Sequence, residues 1–170
     1  MHKTYRVPMN PVVILFFLLA AAGIAALVAW SFSSGIKWTG ICILAVMLPL
    51  GGFYWYMLYV NPARSEIALS DEGVLVNAPP FIEVAIPWGT IESVFVADLE
   101  SDDRLAVKEA KRIMKFGAYR SGLVTLKSGA EAVLLTRSRR VVCLVAGDRH
   151  YLLGPAAVDS LAEDCSSKVG

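Results

Sequence analysis

Histidine is nearly missing from this chain: of 170 residues, only His2 and His150 carry an imidazole. His150 stands between Arg149 and Tyr151 in a strand pattern, the setting of a half-exposed strand side chain rather than of a general base. No Gly-x-Ser-x-Gly, His-Glu-x-x-His or phosphate-loop sequence occurs, which excludes nucleophile elbows, zinc-protease helices and Walker-type nucleotide sites. Cysteine is scarce too. Cys42, Cys143 and Cys165 show neither a pairing pattern nor Cys-x-x-Cys spacing, and read as free thiols of a reducing compartment. Neither sign of charge dominates: 16 basic against 15 acidic residues give a net charge of +1, without the basic excess that a nucleic-acid partner requires. Asp98, Glu100, Asp102 and Asp103 lack the spacing of a calcium loop. Adjacency alone does not give Asp102 and Asp103 the geometry of a hydrolytic carboxylate pair. The expectation is a chain with no catalytic activity, no metal and no cofactor.

The absence with the widest consequence is local. Residues 11–30 and 40–60 contain no Asp, Glu, Lys, Arg or His, and each run reaches the ~20 residues that span a hydrocarbon layer. They predict a transmembrane hairpin with helix 1 at 11–30, a loop at 31–39 and helix 2 at 40–60. With no ionisable residue at membrane depth, a transport component has no visible proton or ion carrier. Lys3 and Arg6 precede the first run, and the loop carries only Lys37. The positive-inside bias therefore places residues 1–10 in the cytoplasm and returns the C-terminus to the same side. A cleaved signal peptide ending in Ala20-Ala21-Ala22 is the rival reading, but the apolar run continues past the usual limit of such segments. Either way the later domain faces the cytoplasm of an inner (plasma) membrane. Trp30 and Trp38 mark one interface, and Tyr54, Trp55, Tyr56 and Tyr59 the other. Ala21, Ala25 and Ala29 recur every four positions and predict close packing against Gly51 and Gly52.

After Asn61-Pro62 the pattern switches to a period of two. Ile67 and Leu69 alternate with polar neighbours, Asp71-Glu72-Gly73 turns into Val74-Leu75-Val76, and Ile82, Val84 and Ile86 share a face. Further strands are expected at 91–97, 123–127, 130–136, 141–146 and 150–153, with hairpin turns at Ser128-Gly129 and Gly147-Asp148. Val158, Leu161, Ala162 and Cys165 form the stripe of a closing helix after Pro155. Between Asp98 and Arg120 two readings compete. One is a short helix capped by Ser101, with Ala106, Ala110, Ile113 and Met114 on one face and a glycine-bounded loop after it; the other is a bent strand. The helix is favoured.

The hairpin order, the segment Ile86-Pro-Trp-Gly-Thr-Ile91-Glu-Ser-Val94, the stretch Gly117-Ala-Tyr-Arg-Ser-Gly122, and Arg140-Val-Val-Cys-Leu-Val145 followed by Tyr151-Leu-Leu-Gly-Pro155 resemble the bacterial pleckstrin-homology-like (PH-like) domains found behind paired transmembrane helices. The resemblance covers residues 64–168. It implies about seven antiparallel strands in two near-orthogonal sheets, forming a mainly-β barrel closed by a C-terminal helix. It also implies a membrane-associated binding or assembly module, on analogy of fold.

The candidate functional residues are basic. Lys108, Lys111, Arg112, Lys115 and Arg120 form one group and Arg137, Arg139 and Arg140 another, on a domain held within reach of anionic lipid headgroups. The bland alternative is that both are solvated strand ends and a charged face, with nearby acids offsetting the first group. A different class of function is a protein-interaction module, in which Phe81, Trp88 and Phe116 dock a membrane-protein partner while the hairpin supplies location or homo-oligomerisation.

Overall fold

The computed structural model describes residues 3–7 and 10–169. The chain divides into two units, one formed by residues 11–61 and the other by residues 1–10 together with 62–170.

The first unit is the pair of apolar helices. α1 runs Val12–Ser33 and α2 Lys37–Trp55, continued by a π turn at Tyr56–Val60 and a short helical segment α3, Asn61–Ala63. The helices extend into the region read as the loop, leaving only three residues between them. The turn is tight because α1 ends in a Schellman cap: Ile36 donates to the Ser31 carbonyl and Gly35 to that of Phe32, satisfying carbonyls that the helix leaves open. Ser31 Oγ adds a bond to the Ile36 carbonyl at 2.7 Å. The spans Val12–Ser33 and Lys37–Ala63 are both long and apolar enough to cross a membrane. The small-residue expectation needs correcting. A methyl group added at Gly51 or Gly52 would meet nothing within 4 Å, whereas one at Gly40 would stand 2.9 Å from the Phe32 ring. Close approach is thus at the turn end, and Ala21, Ala25, Gly51 and Gly52 line an open apolar groove of about 820 Å³.

The second unit is mostly β, with ten strands among the described residues, where about seven were expected. The first four form one sheet in the order β1-β2-β3-β4, with β1 at Lys3–Arg6, β2 at Glu66–Leu69, β3 at Gly73–Ala78 and β4 at Ile82–Pro87. Ile67, Val74, Val76, Ile82 and Ile86 are buried while intervening residues face out, as the period of two requires. β1 was not anticipated. It pairs antiparallel with β2, Lys3 opposite Leu69 and Arg6 opposite Glu66, and Val7 N–H bonds the Ser65 carbonyl. The strand before α1 and the strand after α3 therefore lie side by side in one sheet.

The other sheet has six strands in the order β5-β9-β10-β8-β7-β6, namely β5 Ser93–Asp98, β6 Val107–Phe116, β7 Tyr119–Leu126, β8 Glu131–Thr136, β9 Arg140–Ala146 and β10 Arg149–Gly154. Neither sheet closes on itself, so the barrel expectation is replaced by two open sheets. The all-antiparallel expectation fails at one place. β10 pairs parallel with β8, inserted between β8 and β9, which joins β9 through the Gly147-Asp148 hairpin and leaves β8 to reach β9 across it. β8, β9 and β10 lie inside the sheet, and their residues are buried in near-continuous runs.

β6 overturns the helix favoured between Asp98 and Arg120. Its partner is supplied locally by β7 through a two-residue turn at Gly117-Ala118, and its ladder is broken by two bulges, which leave Lys108 and Lys111 without an opposite residue. An exposed edge strand has no need of an apolar stripe, and the lysines and bulges are the devices that protect such an edge. Ser101 caps no helix: the Asp98 and Asp102 side chains accept from the Glu100 and Arg104 backbone N–H in local turns. These turns set Leu105 into a core cluster with Val124, Leu126, Leu134, Cys143 and Leu152. The closing helix α4, Val158–Val169, buries Val158, Leu161 and Cys165 and packs on β5 and β9. Pro155 precedes it by three residues.

Candidate functional site

The first basic group is strung along β6 and β7. Lys108 and Lys115 lie seven strand residues apart, about 23 Å at ordinary strand rise, so these cations form no single patch. Lys111 Nζ pairs with Glu131 at 2.5 Å, and that hydrogen bond, then the ammonium charge, hold the Glu131 carboxyl below its usual range. Lys115 stands directly opposite Arg120 across the β6–β7 ladder, next to the turn.

Register then carries Arg120 toward the second group. Arg120 is opposite Thr136, the last residue of β8, and Arg137 follows at once. Arg120, Arg137 and Arg139 line one cleft of about 340 Å³, together with Leu99, Glu100, Ala118 and Ser138. Glu100 is the one carboxylate on its wall, paired with Arg139 at 2.8 Å. Among the described residues Arg120 and Arg137 have no ion-pair partner, so two positive charges stand uncompensated in the cleft. Arg140 pairs with Asp159 at 2.7 Å, and a larger cleft of about 580 Å³ is lined by both of them together with Asp98, Arg137, Ser138 and Arg139, so the two clefts share the 137–139 turn.

The turn that carries these arginines is held by hydrogen bonds from several directions. Thr136 Oγ1 donates to the Ser138 carbonyl at 2.7 Å and accepts from Ser138 N–H at 3.0 Å. Arg137 N–H bonds the Gly154 carbonyl, and Leu99 N–H bonds the Arg139 carbonyl. Glycine is required at 154, because a Cβ there would stand 2.0 Å from Thr136 Oγ1.

The β6–β7 turn also locates the cleft within the chain. Gly117 has φ +57°, a left-handed conformation that favours glycine, and an added Cβ there would stand 3.1 Å from Asn10 Nδ2. Tyr119 is fully buried, and its hydroxyl shares a 2.9 Å hydrogen bond with Ser65 Oγ. Burial raises the Tyr119 phenol above its ordinary range, against the opposing pull of hydrogen bonds with Ser65 and Ser121. Asn10 lies two residues before the first residue of α1, and Ser65 two residues after the last of α3.

The remaining sequence candidates scatter. Phe81 is exposed, but Trp88 is half-buried and donates its indole N–H to the Ser70 carbonyl at 2.9 Å, and Phe116 is half-buried. Phe81 and Trp88 flank opposite ends of the six-residue β4, about 20 Å apart, so they share no face. His150 lines a mostly apolar cleft of about 460 Å³ with Phe95, Leu105 and Val145, and its Nδ1 is buried without a hydrogen-bond partner. His2 lies outside the described residues. Among those described, no cluster of three His, Cys, Asp or Glu side chains is placed to hold a metal ion. Cys143 and Cys165 are buried, and burial pushes both thiols up to about 12, which keeps them protonated and unreactive near neutrality.

By its architecture the chain is a two-helix apolar hairpin joined to a mostly-β domain of two open sheets with a C-terminal helix. No protein-family model, curated protein or solved structure matches it.

Proposed function

We propose that this chain is a multi-pass protein of the inner (plasma) membrane: its helices cross the bilayer as a hairpin, and a PH-like binding and assembly module without catalytic activity faces the cytoplasm and contacts anionic lipid headgroups. The observation that carries this reading is the β1–β2 ladder. Strands from either side of the helix pair belong to one sheet, which an even number of crossings satisfies and a single crossing does not. Removal of a leader after Ala22 would take β1 out of that sheet, which speaks against signal cleavage. Lys3 and Arg6 before α1, against Lys37 alone in the turn, support the cytoplasmic side.

The PH-like part of the reading is supported by the β2–β3–β4 meander, the two-sheet arrangement and the terminal helix on β5 and β9. The parallel β8–β10 pair and the N-terminal strand stand outside that pattern. The lipid part is supported by Lys115 and Arg120 beside a turn that touches Asn10, since each cation near an anionic surface contributes ~1 kcal/mol.

The test uses the intact chain in nanodiscs, with a fluorophore on an Ala118→Cys substitution in a Cys42→Ser background. Quenching by headgroup-labelled lipid is expected to rise when phosphatidylglycerol is added to phosphatidylcholine, and to fall again with salt. Quenching that ignores both lipid charge and salt defeats the lipid reading. A stoichiometric membrane protein retained under those same conditions turns the assignment to an interaction module.

A further inference from the structure

We infer that the cleft walled by Phe95, Leu105, Ala130, Val145 and His150 is a binding site for a small neutral ring compound carrying a hydroxyl group, with His150 Nδ1 as the partner of that hydroxyl. The inference does not depend on the lipid-facing reading above, since every residue it uses lies in the mostly-β unit.

Strand register builds the wall. His150 of β10 stands opposite Val145 of β9 and Ala132 of β8, so the imidazole shares a sheet face with both; Phe95 of β5, opposite Cys143, lies one pleat along on that same face. The facing rim is made of turns. Those of residues 98–106 set Leu105 into the core cluster on this face, and the β7–β8 turn brings Ala130, whose carbonyl accepts from Leu126 N–H at 2.9 Å. At about 460 Å³ the cleft is in the lower part of the range for small-molecule sites, roomy enough for a pair of fused rings and too small for a peptide.

The wall also selects the chemistry. Phe95 is 40% exposed, an aromatic surface that a second ring covers edge-on or offset. Asp102 and Arg104, the charged side chains on the wall, pair with each other at 3.3 Å. Close by in the chain Asp103 pairs with Lys127, Glu131 pairs with Lys111, and Arg149 adjoins Asp148, so neither sign is in excess and an ionic ligand gains no counter-ion. His150 Nδ1 is shut off from solvent with no hydrogen-bond partner among the described residues, a costly state for a buried nitrogen. In a neutral imidazole that nitrogen either donates or accepts, and a hydroxyl answers both, whereas a carboxylate only accepts. The χ2 torsion of histidine is soft, so a small rotation aims Nδ1 at a hydroxyl lying in the cleft.

The experiment dialyses the full chain, in phosphatidylcholine nanodiscs, against three probes of similar shape: 2-naphthol, naphthalene and 2-naphthoate. Uptake above that of empty nanodiscs gives each affinity at a fixed free concentration, and nitrogen-15 labelling of histidine in a His2→Gln background reports on His150 alone. 2-Naphthol is expected to bind about tenfold tighter than naphthalene or 2-naphthoate, and to move the Nδ1 resonance as it saturates. His150→Phe keeps an aromatic ring and should bring 2-naphthol down to the level of naphthalene, with naphthalene itself changed by less than about twofold. Ala130→Phe fills the cleft and should weaken 2-naphthol by about tenfold or more. Equal binding of 2-naphthol and naphthalene with an unmoved Nδ1 resonance overturns the hydroxyl assignment, and tightest binding of 2-naphthoate overturns the neutral class. Uptake no greater than by empty nanodiscs, or undiminished by Ala130→Phe, overturns the site itself. His150→Phe removes an unpaired polar atom, so its unfolding temperature should not fall below that of the unsubstituted chain, which separates lost recognition from lost fold.

Discussion

The cations of β6 and the arginines around the 137–139 turn are alike in charge and differ in what surrounds them. On β6 the strand spreads Lys108, Lys111 and Arg112 along an edge, and Lys111 is neutralised by Glu131. At the turn, two chain segments distant in sequence meet through β7–β8 register, and three arginines line one cleft in which Glu100 pairs with Arg139. Charge counted along a chain therefore predicts solubility well and recognition poorly, because recognition depends on which strand ends share a corner of the sheet. Arg139 and Arg140, adjacent in sequence, pair with different segments, Arg139 with Glu100 after β5 and Arg140 with Asp159 of α4.

The contrast can be broken most forcefully at its frame. Gly154→Val drives a side chain into Thr136 and should cost about 3 kcal/mol, read as a drop in unfolding temperature of the full chain. Tyr119→Phe comes next. It strips the buried Ser65 hydroxyl of its partner and should cost about 1–2 kcal/mol by the same measurement. Arg140→Ala sharpens the comparison: the Arg140–Asp159 pair is largely solvent-exposed, so the unfolding temperature should reflect a loss of less than ~1 kcal/mol.

The smallest effect is a pH slope far from the cleft. Hydrogen bonds from Lys3 and then Tyr5 hold the Asp164 carboxyl below its usual range. A depressed carboxyl adds stability above its unfolded pKa, near ~3.9, and that contribution is lost as pH falls through the folded value. Lys3 is raised by the same Asp164 bond, so its share is present below ~10.4 and lost as pH rises through its own folded value. Asp164→Asn should flatten the acid limb of melting temperature against pH, and an unaltered limb would show that the β1–α4 contact contributes nothing.

Much of this was legible in the residues. Two uncharged apolar runs announce their helices by physics that does not depend on context, and Asp71-Glu72-Gly73, Ser128-Gly129 and Gly147-Asp148 mark turns where turns occur. The stripe Val158, Leu161, Cys165 is buried as its period requires. What was not legible was non-local. Lys3-Thr-Tyr-Arg6 has no strand signature of its own and is extended because β2, sixty residues on, offers an open edge. The parallel β8–β10 pairing has no local mark either. Ala106, Ala110, Ile113 and Met114 fit a helical face by spacing, and the β7 ladder outweighed that preference. Arg137 and Arg139 stood out as a basic turn, but their meeting with Arg120 depends on strand register, which no spacing within either group encodes.

The β1–β2 ladder also bears on how this protein can be handled. A fragment begun at Arg64 would leave its first strand behind and bare the rim of Glu66–Leu69, an unpaired row of amides ready to recruit a substitute from a second molecule. Dimers or aggregates of such a fragment would be a scar of the cut, and say nothing about the company the whole chain keeps.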